Sequence, residues 1–196
     1  MKIRQHEVDA PHFRDEAEHL GYGQYDVCIM TDETRSLSST NPNANHRKLS
    51  TQQIGRLGEL LVQFELLRCG IESAPMTTDA GVDLVAYSEI KGRSFTVQVK
   101  TVLRPKPGGG KGSQAIDWWV SEDCPAELYA FADISTRRAW LLTKQELTSA
   151  AQQRSSGRLH LYMYTNPEPK SVAYARHGDD RFSEFIFANR VSTLFS

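Results

Sequence analysis

The sequence predicts an α/β or α+β domain with a mixed central β-sheet flanked by helices, and three observations carry that expectation. Residues 50–68 repeat apolar side chains at helical spacing. Residues 82–99 hold two strand-like runs joined by a glycine turn. Further strand-like runs follow up to residue 164, interrupted by one helical stretch.

The helix comes first. Ser50 or Thr51 can cap it, and Ile54, Leu57, Leu61, Phe64 and Leu67 recur at three- and four-residue steps, predicting one buried apolar stripe. Arg68 ends the stripe, and Gly70 suits the residue just past a helix end. Gly55 and Gly58 cost helix propensity, so a close packing partner is expected beside them. Val82 to Tyr87 and Ser94 to Val99 then read as strands turning at Lys91-Gly92. Pro105 to Gly112 reads as a Pro/Gly loop. Ile116–Val120, Leu128–Ile134, Ala139–Leu142 and Leu159–Tyr164 are further strands, Lys144–Gln153 a helix, and Asp180–Asn189 a closing helix.

The 196 residues suffice for one well-buried domain with extensions. Residues 1–48 read as an N-terminal extension with a polar linker over Ser36–Asn45, and residues 49–196 as the domain proper. A mean hydropathy of −0.48, with no apolar run near the roughly 20 residues a bilayer requires, excludes a membrane-spanning helix. The start of the chain carries charges where a secretion signal would carry an apolar core, so a cytoplasmic location is expected. Cys28, Cys69 and Cys124 are dispersed, without zinc or disulfide spacing. The six histidines show no metal-binding pattern, which favours surface and packing roles.

Net charge is −1, but unevenly distributed. Residues 1–45 carry −4 and the remainder +3, and Lys91 to Ile116 contains six basic residues and no acid. Such runs are commonly solvated faces; one beside a catalytic site can meet a phosphate backbone, and Arg93, Arg104, Lys106 and Lys111 are the candidates here. Gly108–Ser113 lacks P-loop spacing, so no nucleotide cofactor is expected. Trp118-Trp119 could offer a stacking ring, although a Trp pair on a strand more often sends one ring to the core and one to the surface.

The chemistry concentrates on the two hairpin strands. Alternation sends Phe95, Val97 and Val99 to the core and sets Gln98 and Lys100 side by side on the other face. Asp83 stands among strand-forming apolar residues, where a carboxylate needs a partner or a metal. Hairpin pairing would bring it beside Gln98 to Lys100, with Glu59 supplied from the helix above. Carboxylate, amide and carbonyl oxygens suit a hard cation, Mg²⁺ or Mn²⁺.

Gly55-Arg56-Leu57-Gly58-Glu59, Gly81-Val82-Asp83-Leu84-Val85 and Val97-Gln98-Val99-Lys100-Thr101 together resemble the PD-(D/E)xK nuclease superfamily. They look closest to its QxK subgroup, which includes intron-encoded homing endonucleases. Leu128–Ile134 and Trp140–Leu142 look like later strands of the same core, so the resemblance spans about residues 50–145. It implies a restriction-endonuclease-like core and a Mg²⁺-dependent endonuclease hydrolysing DNA, with a homodimer compatible with that reading. Asp83 and Gln98 would be metal ligands, Val99 would lend its carbonyl, Glu59 would bind metal directly or through water, and Lys100 would be catalytic. Asp79 is a secondary acidic candidate. Gln98 replaces the acid of the parent motif and removes one negative charge. That substitution keeps open a catalytically silent nucleic-acid-binding module on the same fold. A third reading is an interaction protein using its acidic N-terminal arm.

Overall fold

The computed structural model describes residues 48–78, 80–108, 112–165 and 177–196. The chain divides between His46 and Arg47, and all the described residues lie in the second unit. Residues 1–47 of the extension, Asp79 and Lys111 fall outside the described residues.

Helix α1 spans Thr51–Arg68. Ser50 caps it: its hydroxyl accepts from the Gln53 N–H at 3.2 Å, while the Gln53 side chain accepts from the Ser50 N–H at 2.9 Å. At the other end Ile71 N–H reaches back to the Leu66 carbonyl and Gly70 N–H to that of Leu67, with Gly70 at φ +74°. A side chain would strain that conformation, which is why a glycine ends the helix.

The expected apolar stripe does not face the core. Gly58, Val62 and Leu66 are the buried residues of α1, while Leu57, Phe64 and Leu67 are 37%, 58% and 61% exposed. Close approach decides the orientation. A Cβ on Gly58 would lie 1.8 Å from Thr101 Oγ1, so the helix rests directly on the sheet at that residue, whereas Gly55, expected to have a close partner too, has nothing within 4 Å of where its Cβ would stand. The bulkier row then has to face away.

Among the described residues nine strands follow: β1 (Glu72–Pro75), β2 (Leu84–Ser88), β3 (Arg93–Val102), β4 (Lys106–Pro107), β5 (Gln114–Ser121), β6 (Leu128–Asp133), β7 (Arg138–Thr143), β8 (Gln153–Ser155) and β9 (Arg158–Tyr164). Helix α2 is Lys144–Ala150 and α3 is Phe187–Phe195. They form two sheets rather than one. The five-stranded sheet runs β1-β2-β3-β6-β7, antiparallel except for the β3–β6 pair, so it is mixed. The second is four-stranded and antiparallel, in the order β4-β5-β9-β8.

The first sheet buries both faces. On one, Leu84, Ala86, Val97, Val99, Ala130 and Leu141 pack against α1 and α3 through Val62, Leu66, Phe187, Val191 and Phe195. On the other, Tyr129, Phe131, Trp140 and Leu142 meet the inner side of the second sheet, including Ile116, Trp118, Leu161 and Met163. Every residue of β6 is therefore buried, as a strand covered on both sides requires. The fold is an α+β domain with a mixed five-stranded sheet flanked by helices.

Some sequence expectations shift. The helix expected over Lys144–Gln153 stops at Ala150, because Gln153–Ser155 pairs with β9. Part of the Pro/Gly loop joins the second sheet as β4. The single closing helix is a 3-10 segment, Asp179–Phe185, followed by α3, with extended backbone at Ile186 between them. Among the described residues, no helix is long and apolar enough to cross a membrane.

Candidate metal and phosphodiester site

The site assembles where β2 begins and β3 nears its end. The ladder closes at Leu84↔Val97, and the Asp83 N–H still donates to the Val97 carbonyl at 2.9 Å. On the other side the Asp83 carbonyl accepts from Met76 N–H at 2.8 Å. The main chain of Asp83 is thus gripped from both neighbouring strands. Its carboxylate Oδ2 accepts from the Val99 N–H at 2.6 Å, which fixes the side chain over the Gln98–Lys100 triplet. An ionised acceptor makes this a charge-assisted bond, stronger than an amide pair.

The approach to Asp83 is just as constrained. Gly81 adopts φ +80°, and a Cβ there would stand 3.1 Å from Pro125 Cδ. The Cys124 thiol donates to the Gly81 carbonyl at 3.0 Å, and the Tyr129 hydroxyl and Lys144 ammonium both donate to the Cys124 carbonyl. Burial, reinforced by Cys124 beside it, pushes the Tyr129 phenol well above its ordinary pKa, so it stays a donor. In the sequence Cys124 reads only as a dispersed cysteine, and Pro125 carries no signal. They lie 41 or more residues beyond Asp83, and the only early sign of their contact was the glycine of Gly81-Val82-Asp83.

Gln98 and Lys100 pair with Tyr129 and Phe131 of β6, so all four side chains share the face turned toward the second sheet. Gln98 is 6% exposed, and its Oε1 is buried without a hydrogen-bond partner. The other buried unpaired side-chain oxygen among the described residues is Thr101 Oγ1, on the opposite face of β3 at Gly58. The remaining such atoms, Trp118 Nε1, Trp140 Nε1 and Arg190 Nε, are nitrogen donors. An orphaned carbonyl-type oxygen costs free energy unless something not yet present satisfies it, and a cation is one such partner.

Glu59 lies on α1 next to Gly58, the point where the helix touches Thr101 of β3. Its carboxylate pairs with Arg56 at 2.7 Å and is 25% exposed. Among the described residues, no group of three or more His, Cys, Asp or Glu converges to hold a metal. A cation here would therefore rely on the Gln98 amide and on main-chain oxygen beside the carboxylates. Val97's carbonyl faces β2, so Val99's carbonyl, two residues on, points to the same side beyond the last ladder pair.

The basic candidates separate. Arg93 opens β3, seven residues before Lys100 or roughly 23 Å at strand rise. Its guanidinium binds Glu127 at 2.8 Å and lies 4.1 Å over the Phe95 ring, so it belongs to the far end of the strand and does not join Asp83 and Lys100. Arg104 and Lys106 are exposed just past the near end.

No family model matches this sequence. No curated protein matches it either. Among solved structures the fold is similar to a bacterial homing endonuclease, I-Ssp6803I, at a TM-score of 0.45 and 15% identity, over 68% of this chain and 91% of that one.

Proposed function

We propose that this protein is a divalent-metal-dependent endonuclease that hydrolyses DNA phosphodiester bonds. The observation that carries the reading is the buried, unpartnered Gln98 Oε1, set one residue from the amide that grips Asp83 and two from Lys100. The donor set fits Mg²⁺ or Mn²⁺: Asp83, Gln98 and the Val99 carbonyl would hold the ion, with Glu59 directly or through water. Bound there, such an ion would offset charge on the scissile phosphate and lower the pKa of a water.

The chain's own residues do the rest. The Val99 N–H fixes the Asp83 carboxylate before any substrate arrives, so no reorganisation is needed during reaction. Lys100 shares a face with Gln98, and its ammonium would offset the negative charge the phosphate gains as water oxygen bonds phosphorus and the ester oxygen departs. The exposed Arg104 and Lys106 extend positive charge along the backbone path.

The test is cleavage of plasmid and single-stranded DNA with Mg²⁺ or Mn²⁺, with and without EDTA. The wild type should cut only with metal, and Asp83→Asn and Lys100→Ala should each lose activity. Cutting untouched by both substitutions would sink the proposal. A second reading, a silent DNA-binding module, is favoured by the amide standing where an acid would add charge. It predicts salt-dependent binding without cleavage under any metal, and Gln98→Glu gaining metal affinity but no activity.

A further inference from the structure

The outer face of the second sheet carries an aromatic row that the proposed cutting site does not use. Alternation on β5 buries Trp118 and turns Trp119 outward; on β9 it buries Leu159, Leu161 and Met163 and turns out His160, Tyr162 and Tyr164. The Trp119 and His160 rings stack at 4.1 Å and 7°, opposite each other in the ladder. His160 then meets Tyr162 at 5.3 Å, and Tyr162 meets Tyr164 edge-on at 5.7 Å. Four rings in sequence thus line this half-buried sheet face, with the His177 ring edge-on to Tyr162 at 5.3 Å.

Beside them opens a cavity of about 390 Å³ lined by Lys106, Asp117, Gln153, His160, Tyr162 and Tyr164, a size within the usual range for small planar ligands. Its polar groups converge on that space. Asp117 Oδ2 and Gln153 Oε1 each lie 3.2 Å from one ring nitrogen of His160, on either side of the ring. The Asp117 side chain stays 44% exposed and can accept from an amino group. Lys106 supplies a cation at the rim, from the same acid-free basic stretch that contains Lys100.

We infer that this cavity binds an unstacked nucleobase of a single-stranded nucleic acid. Tyr162 and Tyr164 offer ring faces and edges, Asp117 and Gln153 read the base edge, and Lys106 meets the adjoining phosphate. Stacking of bases on sheet-borne aromatic rings is a general way of holding single strands, because every base has a π-face. The inference rests on the nuclease reading for its choice of nucleic acid, and it names an unpaired base as what the second sheet engages.

The experiment uses the full chain in EDTA, which silences metal-dependent cutting, and fluorescence anisotropy of a labelled eight-nucleotide DNA strand. The strand should bind severalfold more tightly than its duplex, and one central abasic site should weaken binding about tenfold. Tyr164→Ala and Asp117→Ala should each lose about tenfold, while Tyr164→Phe should stay within about twofold. Displacement of the strand by a deoxynucleoside monophosphate would show that the cavity also takes free nucleotides. Resistance to displacement, with the abasic loss intact, would show that it needs a strand-borne base. Equal affinity of intact and abasic strands for the wild type overturns the inference, as does unchanged binding by a folded Tyr164→Ala. Base-dependent binding by a protein that cuts nothing would overturn the nuclease reading and leave this site standing. Metal-dependent cutting without any abasic effect would do the reverse.

Discussion

Gln98 and Asp133 are both buried polar residues on neighbouring strands of one sheet, and they are treated in opposite ways. Asp133 is fully buried, yet its Oδ1 accepts from the Ser135 N–H and hydroxyl and its Oδ2 from the Thr136 hydroxyl. It is a closed structural unit that shapes the β6–β7 turn. Gln98, buried nearly as deeply, leaves its carbonyl oxygen unpaired. Burial alone therefore does not distinguish the two residues; hydrogen-bond satisfaction does.

The widest gap should appear between the two residues' neighbourhoods in a cleavage assay. Asp83→Asn and Lys100→Ala are each expected to lower metal-dependent cutting by at least about a hundredfold; Lys100→Ala should leave the denaturation midpoint nearly unchanged, and Asp83→Asn should cost only about 1 kcal/mol as its bond to the Val99 N–H becomes a neutral one. Asp133→Ala should do the opposite. It should cost on the order of 3 kcal/mol in urea unfolding, because three donors lose a charged acceptor, and leave cutting per folded molecule intact. Equal losses of stability at both positions would erase the contrast.

Gly58→Ala probes how tightly α1 is set on β3, and should cost about 1–3 kcal/mol through the overlap with Thr101, partly relieved by Thr101→Ala. Gln98→Leu sharpens the comparison further. Removing an unsatisfied buried amide should leave stability equal or raise it by about 1 kcal/mol, while cutting is lost. A strongly destabilised Gln98→Leu would show that the amide is structural after all.

The smallest effect concerns Glu146, another satisfied carboxylate. Burial raises its pKa, but the N–H and hydroxyl of Thr143 and the charge of Arg190 outweigh that and hold it below its usual value. A carboxyl with a depressed folded pKa adds stability above its unfolded pKa and loses it as pH falls through the folded one. Glu146→Gln should therefore destabilise by less than about 1 kcal/mol near pH 7, and the two proteins should converge in acid. A difference that grows on acidification would reverse the sign and reject the assignment.

Much of the site was legible because its members lie on one hairpin. Strand alternation alone set Gln98 beside Lys100, and hairpin pairing carried Asp83 to the same end. Glu59 could be placed on a helix, but not in depth or direction, since both depend on how α1 seats. There the sequence misled: the apolar row of Leu57, Phe64 and Leu67 is the more hydrophobic face, yet Gly58, Val62 and Leu66 are buried. Hydrophobic period reports that a helix has an apolar face, whereas backbone approach at a glycine decides which face meets the sheet. Arg93 misled similarly. It belongs to the same charge run as Lys100, but a ten-residue strand holds the two at opposite ends.

The sequence by itself determined the elements that local periodicity and turn chemistry specify: the capped helix ending at Gly70, the strands on either side of Gly92, and the phase that separates Val97 and Val99 from Gln98 and Lys100. Tertiary structure alone decided the second sheet, whose β4 and β8 are too short to show a period. It also decided the clamp of Cys124 and Pro125 on Gly81, and the fact that Gln98 is left without a partner. Those features depend on contacts between residues far apart in the chain, and no window of neighbouring residues contains the energy that forms them.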